Sequence, residues 1–202
     1  MLTLYFAPGS SSFAVHIALH EVGAEFDSRP MSFKNRDMKS PAYLAVNPEG
    51  KVPTLVIDGQ PLTEVAGILF YLAKTYPSAK LLPDDAEGQA RAVSWMSFIA
   101  STLHPARSKG MEHTKNVYGI ADRRLGGQDW VLGRYSIADI HLFRLYWRFS
   151  RALDLPAGTF PNLDAHQERM LKRESVKKTI AIESAIGYEL PAWFPATGKT
   201  TD

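Results

Sequence analysis

In the first 80 residues, short apolar runs typical of β-strands alternate with longer segments whose apolar residues recur at helical spacing. The apolar run "TLYF" at 3–6 predicts a buried strand, and "EFDSRPMSF" at 25–33 predicts a second one. In "VPTLVIDGQPL" at 52–62, two short apolar runs flank Asp58-Gly59, which is a hairpin turn signal. These runs predict at least four strands, the last two of them antiparallel.

Apolar positions at helical spacing separate these strands. The stretch "FAVHIALHEVG" at 13–23 predicts a helix that stops at its terminal glycine. The stretch "LTEVAGILFYLAKTYP" at 62–77 predicts another, with Thr63 as N-cap and a proline past its end. The resulting order, β-α-β-(α)-β-β-α, predicts a compact α/β unit.

After a proline-flanked stretch, "PSAKLLPDD", every periodic segment has helical spacing. The longest are 87–107, the strongly apolar 135–153, and 160–182, which predicts one or two helices. The chain therefore divides into an α/β unit and an all-helical unit. The predicted boundaries are a first domain at 1–77, a linker at 78–86 and a helical domain at 87–202.

A capping box stands at the start of the most apolar helix. In "YSIADI", Ser136 is placed at the N-cap and Asp139 at the third helical position, where each side chain reaches the other residue's backbone N–H. We assign this pair a structural role, and loss of the cap is expected to cost about 1 kcal/mol.

Composition and charge exclude several functional classes. Apolar residues make up 45% of the chain and charged residues 22%, which is ordinary for a globular protein. The net charge of +2 is too small to indicate a nucleic-acid or membrane partner. Without cysteine, the chain has no disulfide, no thiolate metal cluster and no thiol of its own for disulfide exchange. It has no basic leader and no apolar run long enough for a membrane span, so we expect a cytoplasmic location.

Four stretches occur in order along the chain: "YFAPGSSS", "VNPEGKVPTL", "LTEVAGILFYL" and "YSIADIHLF". Together they resemble the glutathione S-transferase family, especially its bacterial beta class, over residues 1–195. The resemblance implies a thioredoxin-like α/β N-terminal domain and an all-α C-terminal domain. It also implies a homodimer with glutathione as co-substrate, bound on the first domain, and no metal.

The resemblance places the glutathione peptide along residues 51–53 and 64–65. A cis peptide bond before Pro53 would turn the backbone of Val52 outward, where an extended peptide pairs with it as an added strand. Glu64 and Val65 open a helix, whose free N–H groups favour the γ-glutamyl carboxylate while the Glu64 side chain pairs with the ligand's amino group. Lys51, with Lys34 or Lys39, is a candidate partner of the glycyl carboxylate.

Two of these assignments have alternatives. Relatives often carry serine at the position of Val65, and the missing hydroxyl predicts glutathione binding weaker by about 1.5–3 kcal/mol. The ordinary interpretation of Glu64 is favourable charge at a helix N-terminus, and that of the lysines is surface solubility.

The resemblance places the thiol group of glutathione next to the three serines at 10–12. Ser11 stands where beta-class relatives commonly have cysteine, and Ser12 is the next candidate to hold the glutathione sulfur. Tyr5 is a third candidate, although its place inside a strand favours core packing. A hydroxyl–thiolate bond and a helix N-terminus together lower a thiol pKa by about one to three units, so serine suffices for conjugation. The alternative is that the serines only cap the helix and fill the turn.

Histidines offer two further assignments. His104 precedes a proline near the end of the first long helix, where beta-class relatives place a histidine near the sulfur. It either hydrogen-bonds the thiolate, or stabilises it as imidazolium, or is a helix-end residue. His16 and His20 have the one-turn spacing of metal ligands but no third ligand nearby, so an exposed helix face is the better interpretation.

The co-substrate region departs from the family's pattern. Only 25 residues separate His104 from Trp130, so we expect the helices in 105–129 to be short or partly irregular and the pocket to be open. The candidate residues for the hydrophobic co-substrate site are Tyr5, Phe6, Trp95, Met96, Phe98 and Tyr118, although helical aromatics are more often core.

The function predicted from the sequence is conjugation of the glutathione thiolate to small hydrophobic electrophiles. One alternative is a non-catalytic protein of the same fold that binds glutathione or hydrophobic ligands. Another is a different glutathione-dependent reaction, namely isomerisation, dehalogenation or peroxide reduction. Fold-level similarity alone does not separate these possibilities.

Overall fold

A four-stranded mixed sheet forms the first part of the protein in the computed structural model, which describes residues 1–153, 155–156 and 158–190. The strands are β1 (Leu2–Phe6), β2 (Phe26–Pro30), β3 (Thr54–Ile57) and β4 (Gln60–Thr63). Their order in the sheet is β2-β1-β3-β4, with β1 parallel to β2 and the other neighbours antiparallel. The hairpin between β3 and β4 turns at Asp58-Gly59, where both residues have positive φ, as the sequence predicts.

Eight α-helices accompany the sheet in the described part of the chain. Short 3-10 turns lie at Asp37–Lys39, Pro77–Ala79 and Pro105–Lys109, and a π-helical turn at Ile99–Leu103 follows the fourth helix. The helices are α1 (Ser12–Glu21), α2 (Pro41–Leu44), α3 (Val65–Thr75), α4 (Ala86–Phe98), α5 (Met111–Leu125), α6 (Ile137–Ala152), α7 (Pro161–Leu171) and α8 (Glu174–Ile186).

Helix α1 lies at the centre of the molecule. It contacts α3 beside the sheet and α6 and α8 of the helical part, and every residue from Ser12 to Leu19 is buried. Helix α6 is buried from Ile137 through Phe149, and its Trp147 stacks on Phe13 of α1 with ring centroids 4.8 Å apart. The core thus runs continuously from the sheet into the helices. Helix α1 therefore packs against both the α/β part and the helical part of the protein.

The fold predicted from the sequence, a thioredoxin-like unit followed by a helical unit, is confirmed. The capping box is present: Asp139 accepts from the Ser136 N–H at 2.8 Å, and the Ser136 hydroxyl accepts from the Ala138 N–H at 3.3 Å. Residues 191–202, the end of the predicted helical domain, lie outside the described residues.

Three local expectations differ from the structure. Thr63 ends β4, and Glu64 is the N-cap of α3. The segment predicted as one helix over 87–107 leaves α geometry after Phe98, because the π-helical turn and then Pro105 interrupt its hydrogen bonding. In the region 105–129, expected to hold short or partly irregular helices, the first element is the 3-10 turn Pro105–Lys109, as expected, but the second is the regular 15-residue helix α5.

Candidate functional site

The three serines between β1 and α1 have different surroundings. The Ser12 hydroxyl is fully buried, donates to the Ala7 carbonyl at 3.1 Å and accepts from the Ala7 N–H at 3.1 Å. The Ser10 hydroxyl is also buried and lies 2.7 Å from that of Ser12. Ser11 is half-buried, makes no capping bond and lines a cavity. Ser12, a candidate sulfur contact from the sequence, therefore closes the turn and does not line the cavity, whereas Ser11 does.

Two buried side chains of the helical part form hydrogen bonds to the turn at residues 9–11, called here the serine turn. Arg144 of α6 donates from Nε to the Ser10 carbonyl at 2.9 Å. Glu183 of α8 accepts from the Gly9 N–H at 2.6 Å and lies 2.8 Å from His16 Nδ1 of α1. Both contacts cross from the C-terminal helices to the serine turn, so the helical unit holds Ser11 at the cavity wall.

A second part of the cavity lining is the loop that leads into β3. This loop contains a cis peptide bond between Val52 and Pro53. The Lys51 carbonyl accepts from the Tyr43 hydroxyl at 2.5 Å and from Asn47 Nδ2 at 2.9 Å. Tyr43 and Asn47 are almost fully buried, so they fix the loop from inside. Neither residue was a sequence-based candidate, although Asn47 lies within the "VNPEG" motif.

Glu64 occupies the junction between β4 and α3 in a strained conformation, with φ 65° and ψ 124°. Its side chain is exposed and makes no capping bond. Val65, behind it, is buried. Because Thr63 to Ala66 all line the cavity, the first turn of α3 and the Glu64 carboxylate lie at its edge.

These walls enclose a cavity of about 410 Å³. Most of the predicted glutathione-site residues meet there, together with groups from the helical part that the sequence did not indicate. The lining consists of Ser11, Asn47, Glu49, Lys51, Val52, Pro53, Thr63, Glu64, Val65, Ala66, Ala100, His104, Arg107 and His141.

Lys51 is the one of the three predicted lysines that lines this cavity. Its Nζ lies 3.2 Å from Glu49 Oε2, and its side chain is 73% exposed. Lys39 donates to the Glu49 carbonyl at 3.4 Å, and the Lys34 backbone N–H donates to Glu189. Neither Lys34 nor Lys39 lines the cavity.

The helical wall of the cavity, formed by Ala100, His104, Arg107 and His141, carries positive charge and neutral imidazoles. Burial, reinforced by Arg144, Arg107 and Arg148, lowers the pKa of His104 to about 3. Its imidazole is therefore neutral near pH 7 in the ligand-free protein, which favours the hydrogen-bonding role over the imidazolium role. The guanidinium groups of Arg107, Arg144 and Arg148 carry the positive charge here, although burial lowers the pKa of Arg144 to about 9.

His141 of α6 is a cavity residue that sequence reasoning missed. It is 5% exposed, and its Nδ1 has no hydrogen-bond partner within the described residues. Burial, with Arg144 and His104 nearby, lowers its pKa to about 3. The available signal was its place in "YSIADIHLF", where it is one of several polar residues in a mostly apolar helix.

The aromatic candidates for the co-substrate site lie elsewhere. Phe6 and Tyr118 are completely buried in the core, and Tyr118 stacks on Phe149 with centroids 3.9 Å apart. Tyr5 packs on Tyr43 with centroids 5.3 Å apart. None of the three lines the cavity, because their strand or helix faces are turned to neighbouring elements.

His16 and His20, which lie one helical turn apart, were considered from the sequence as possible metal ligands. His16 is 1% exposed and bonds Glu183, so the expectation of an exposed face for His16 and His20 is wrong. No group of three or more histidines, aspartates and glutamates placed to hold a metal ion occurs among the described residues. Within the same part of the chain, no helix has the length and apolar character required to cross a membrane.

Comparison with known proteins agrees with this architecture. The family model for the glutathione S-transferase N-terminal domain matches residues 1–74, and the model for its C-terminal domain matches residues 66–174. The first match covers the sheet, α1, α2 and nearly all of α3, and the second begins within α3 and ends at the first residue of α8.

Individual relatives match over most of their length. Glutathione S-transferase GstA of Escherichia coli O157:H7 is 30% identical over 90% of this chain and 98% of its own. Maleylacetoacetate isomerase of Pseudomonas aeruginosa is 30% identical over 72% of this chain and 81% of its own. The structure of a sphingomonad glutathione S-transferase complexed with glutathione superposes with a TM-score of 0.81 at 31% identity, covering 90% of this chain and 98% of the other. The chain belongs to the glutathione S-transferase family.

Proposed function

We propose that the protein binds glutathione in the cavity beside the Val52–Pro53 bond and transfers its thiolate to an electrophilic carbon of a small organic compound. The observation that carries the proposal is the position of Ser11. Its hydroxyl, at the start of α1, shares one cavity with Val52, Glu64 and the positively charged helical wall. Family membership and the glutathione-bound relative support the same conclusion.

The peptide part of glutathione would lie along the first domain. The backbone of Val52 is available to an extended peptide in the manner of an added strand. At the γ-glutamyl end, Glu64 pairs with the amino group while the first N–H groups of α3, from Val65 onward, receive the carboxylate. Lys51, at the cavity rim, attracts the glycyl carboxylate.

The helical wall favours thiolate over thiol. The guanidinium groups of Arg107, Arg144 and Arg148 contribute to the low pKa of His104, and the same positive charge stabilises an anion at that end of the cavity. The Ser11 hydroxyl donates a hydrogen bond to the sulfur, and His104 is a neutral hydrogen-bond partner. In the reaction the sulfur lone pair forms the new C–S bond, the leaving group departs with its electron pair, and the thiol proton goes to solvent.

The test is the titration of glutathione on the protein, followed by the ultraviolet absorbance of the thiolate. Ser11→Ala is expected to raise the pKa of bound thiol by about one to two units, because a hydrogen bond to an ion contributes about 1.5–3 kcal/mol. It is also expected to lower kcat/KM for chlorodinitrobenzene. Ser184→Ala, at an exposed position of α8, is the control. An unchanged titration in Ser11→Ala would contradict the role of Ser11.

Glutathione-dependent isomerisation is a second candidate, favoured by the similarity to maleylacetoacetate isomerase of P. aeruginosa. It uses the same thiolate, which adds to the substrate and is then expelled, so glutathione is not consumed. Assays of maleylacetoacetate isomerisation and of chlorodinitrobenzene conjugation with one preparation separate the two reactions. Glutathione binding with neither reaction would identify a non-catalytic binding protein of this fold.

The proposal includes a homodimer in the cytoplasm. Phe70 of α3 and Val93 of α4 are 36% and 49% exposed on two helices in contact, and exposed apolar side chains favour association. The absence of cysteine is compatible with a reducing compartment. Light scattering of the purified protein, with Val93→Glu as the disrupting variant, tests the oligomeric state.

A further inference from the structure

We propose that the electrophilic co-substrate carries an anionic group, a carboxylate or a similar oxyanion, which binds against the helical wall at Arg107 and His141. The inference rests on the proposed function and specifies its substrate class. It starts from the division of the cavity lining between the two parts of the chain. The residues assigned to glutathione come from the serine turn, the Val52–Pro53 loop and the start of α3.

The wall that remains for a co-substrate is polar. Its members are Ala100 in the π-helical turn, His104 directly after that turn, Arg107 in the following 3-10 turn, and His141 on α6. Three of these four side chains carry nitrogen donors or acceptors, and the fourth is small. The aromatic side chains that would form an apolar wall, Phe6 and Tyr118, are buried in the core instead.

His141 adds a second nitrogen donor to this wall. The residue is 5% exposed and lines the cavity. Its Nδ1 is closed off from solvent and has no partner within the described residues, so Nε2 is the ring nitrogen that a ligand in the cavity can reach. A neutral imidazole carries its one N–H on either nitrogen, and the tautomer with hydrogen on Nε2 donates to an anion.

The surrounding charges favour an anion at this wall. Arg107, Arg144 and Arg148 are close enough to act on His104 together. The acidic side chains of the lining, Glu49 and Glu64, belong to the opposite walls, and Glu49 is paired with Lys51. Among the described residues, Glu183 is a carboxylate that acts on Arg144, and its two oxygens also contact the Gly9 N–H and His16 Nδ1. A carboxylate matches the fork of donors that a guanidinium presents.

A pair of electrophiles that differ in one charge tests the inference. The probes are 4-chloro-3,5-dinitrobenzoate and its methyl ester, each with glutathione. In both reactions a C–S bond forms at the ring carbon, the C–Cl bond breaks, chloride leaves with the electron pair and the thiol proton goes to solvent. Each kcat/KM is divided by the uncatalysed rate constant for the same probe, which removes the difference in intrinsic reactivity.

The wild-type protein is expected to favour the acid over the ester by about 10- to 100-fold, and Arg107→Gln is expected to remove most of that preference. His141→Phe is expected to reduce the preference in the same direction. Lys109→Gln, at an exposed position two residues beyond Arg107, is the matched control and should retain it. An equal loss for acid and ester in Arg107→Gln would show that the arginine serves only the thiolate and would overturn the inference.

Binding without turnover separates this inference from the proposed function. The unreactive 3,5-dinitrobenzoate is titrated calorimetrically into protein saturated with S-methylglutathione, with its methyl ester as comparison. Preferential binding of the acid, lost in Arg107→Gln, supports the anion site even in a protein that conjugates neither probe. Equal or weaker binding of the acid overturns it. Absence of conjugation together with normal acid binding contradicts only the proposed transferase activity.

Discussion

Glu183 of α8 accepts a 2.6 Å hydrogen bond from the backbone N–H of Gly9, 174 residues earlier in the chain. The other carboxylate oxygen lies 2.8 Å from Nδ1 of the buried His16. Gly9 has φ 71°, and a Cβ there would lie 2.8 Å from Leu190 Cδ1, so the turn also depends on glycine. The C-terminal helix therefore fixes the turn that presents Ser11.

Glu183→Ala tests this contact. It removes both acceptors from buried donors, each of which costs about 1–3 kcal/mol when unsatisfied. We expect the free energy of unfolding to fall by about 2–4 kcal/mol and KM for glutathione to rise as the serine turn moves. Urea denaturation and glutathione kinetics measure the two effects.

Glu183→Gln is the matched control for that experiment. Its amide oxygen accepts from the Gly9 N–H, and its NH₂ group donates to the His16 ring in the other tautomer. The loss should therefore be smaller than in Glu183→Ala. Equal losses in the two variants would show that the charge of Glu183, rather than its hydrogen bonds, holds the turn.

Ser12→Ala and Ser11→Ala are expected to differ in kind. The Ser12 hydroxyl bonds both backbone groups of Ala7 inside the protein, so its removal should lower the free energy of unfolding by about 1–3 kcal/mol. Ser11 makes no capping bond, so its removal should leave stability within about 0.5 kcal/mol. Thermal and urea unfolding of both variants check this. Greater destabilisation by Ser11→Ala would reverse the assignment of the two serines.

Asp139 should matter more to stability than Ser136, although both belong to one capping box. Asp139 is fully buried and accepts from Ser136 N at 2.8 Å and from Val131 N at 2.8 Å, with His166 Nε2 at 3.0 Å. Ser136→Ala is expected to cost about 1 kcal/mol. Asp139→Ala is expected to cost about 3–5 kcal/mol, because several buried donors lose their acceptor. Similar midpoints in urea for the two variants would contradict this order.

Local features of the fold were predictable because their signals lie within a few residues. The capping box needs only Ser136 and Asp139, three positions apart, and the hairpin needs only Asp58-Gly59. The cis bond before Pro53 was predictable through the family resemblance, since an isolated X-Pro bond is rarely cis. The family itself followed from four motifs in order along the chain.

The groups that complete the site come from far along the chain and carry no local signal. Arg144 reaches Ser10 across 134 residues, and Glu183 reaches Gly9 across 174. In the sequence of helix α6, which is almost fully buried, His141 and Arg144 interrupt a mostly apolar pattern. Helical periodicity does not predict which residues of other elements these two side chains contact. Phe6 and Tyr118 were assigned to the pocket wrongly for the same reason, since sequence does not distinguish a core-facing aromatic from a cavity-facing one.

Stability should fall as the pH drops below about 6.5. The pKa values of His104 and His141 in the folded protein are about 3, against 6.5 in an unfolded chain. Between these values the unfolded state binds a proton at each position and the native state does not, so stability present above pH 6.5 is lost as pH falls toward 3. Each such histidine contributes a slope of up to about 1.4 kcal/mol per pH unit.

Removing one of these histidines should flatten the dependence. In His141→Gln, the slope of unfolding free energy against pH, measured by urea denaturation between about pH 7 and pH 5, should decrease by up to about 1.4 kcal/mol per unit. Phe143→Leu, two residues away in the same buried helix, is the control. It lowers stability by a similar amount at every pH because it removes no titrating group. If both variants keep the wild-type slope, the surroundings of His141 do not hold its imidazole neutral. The low pKa that we assign to His141 in the folded protein would then be wrong.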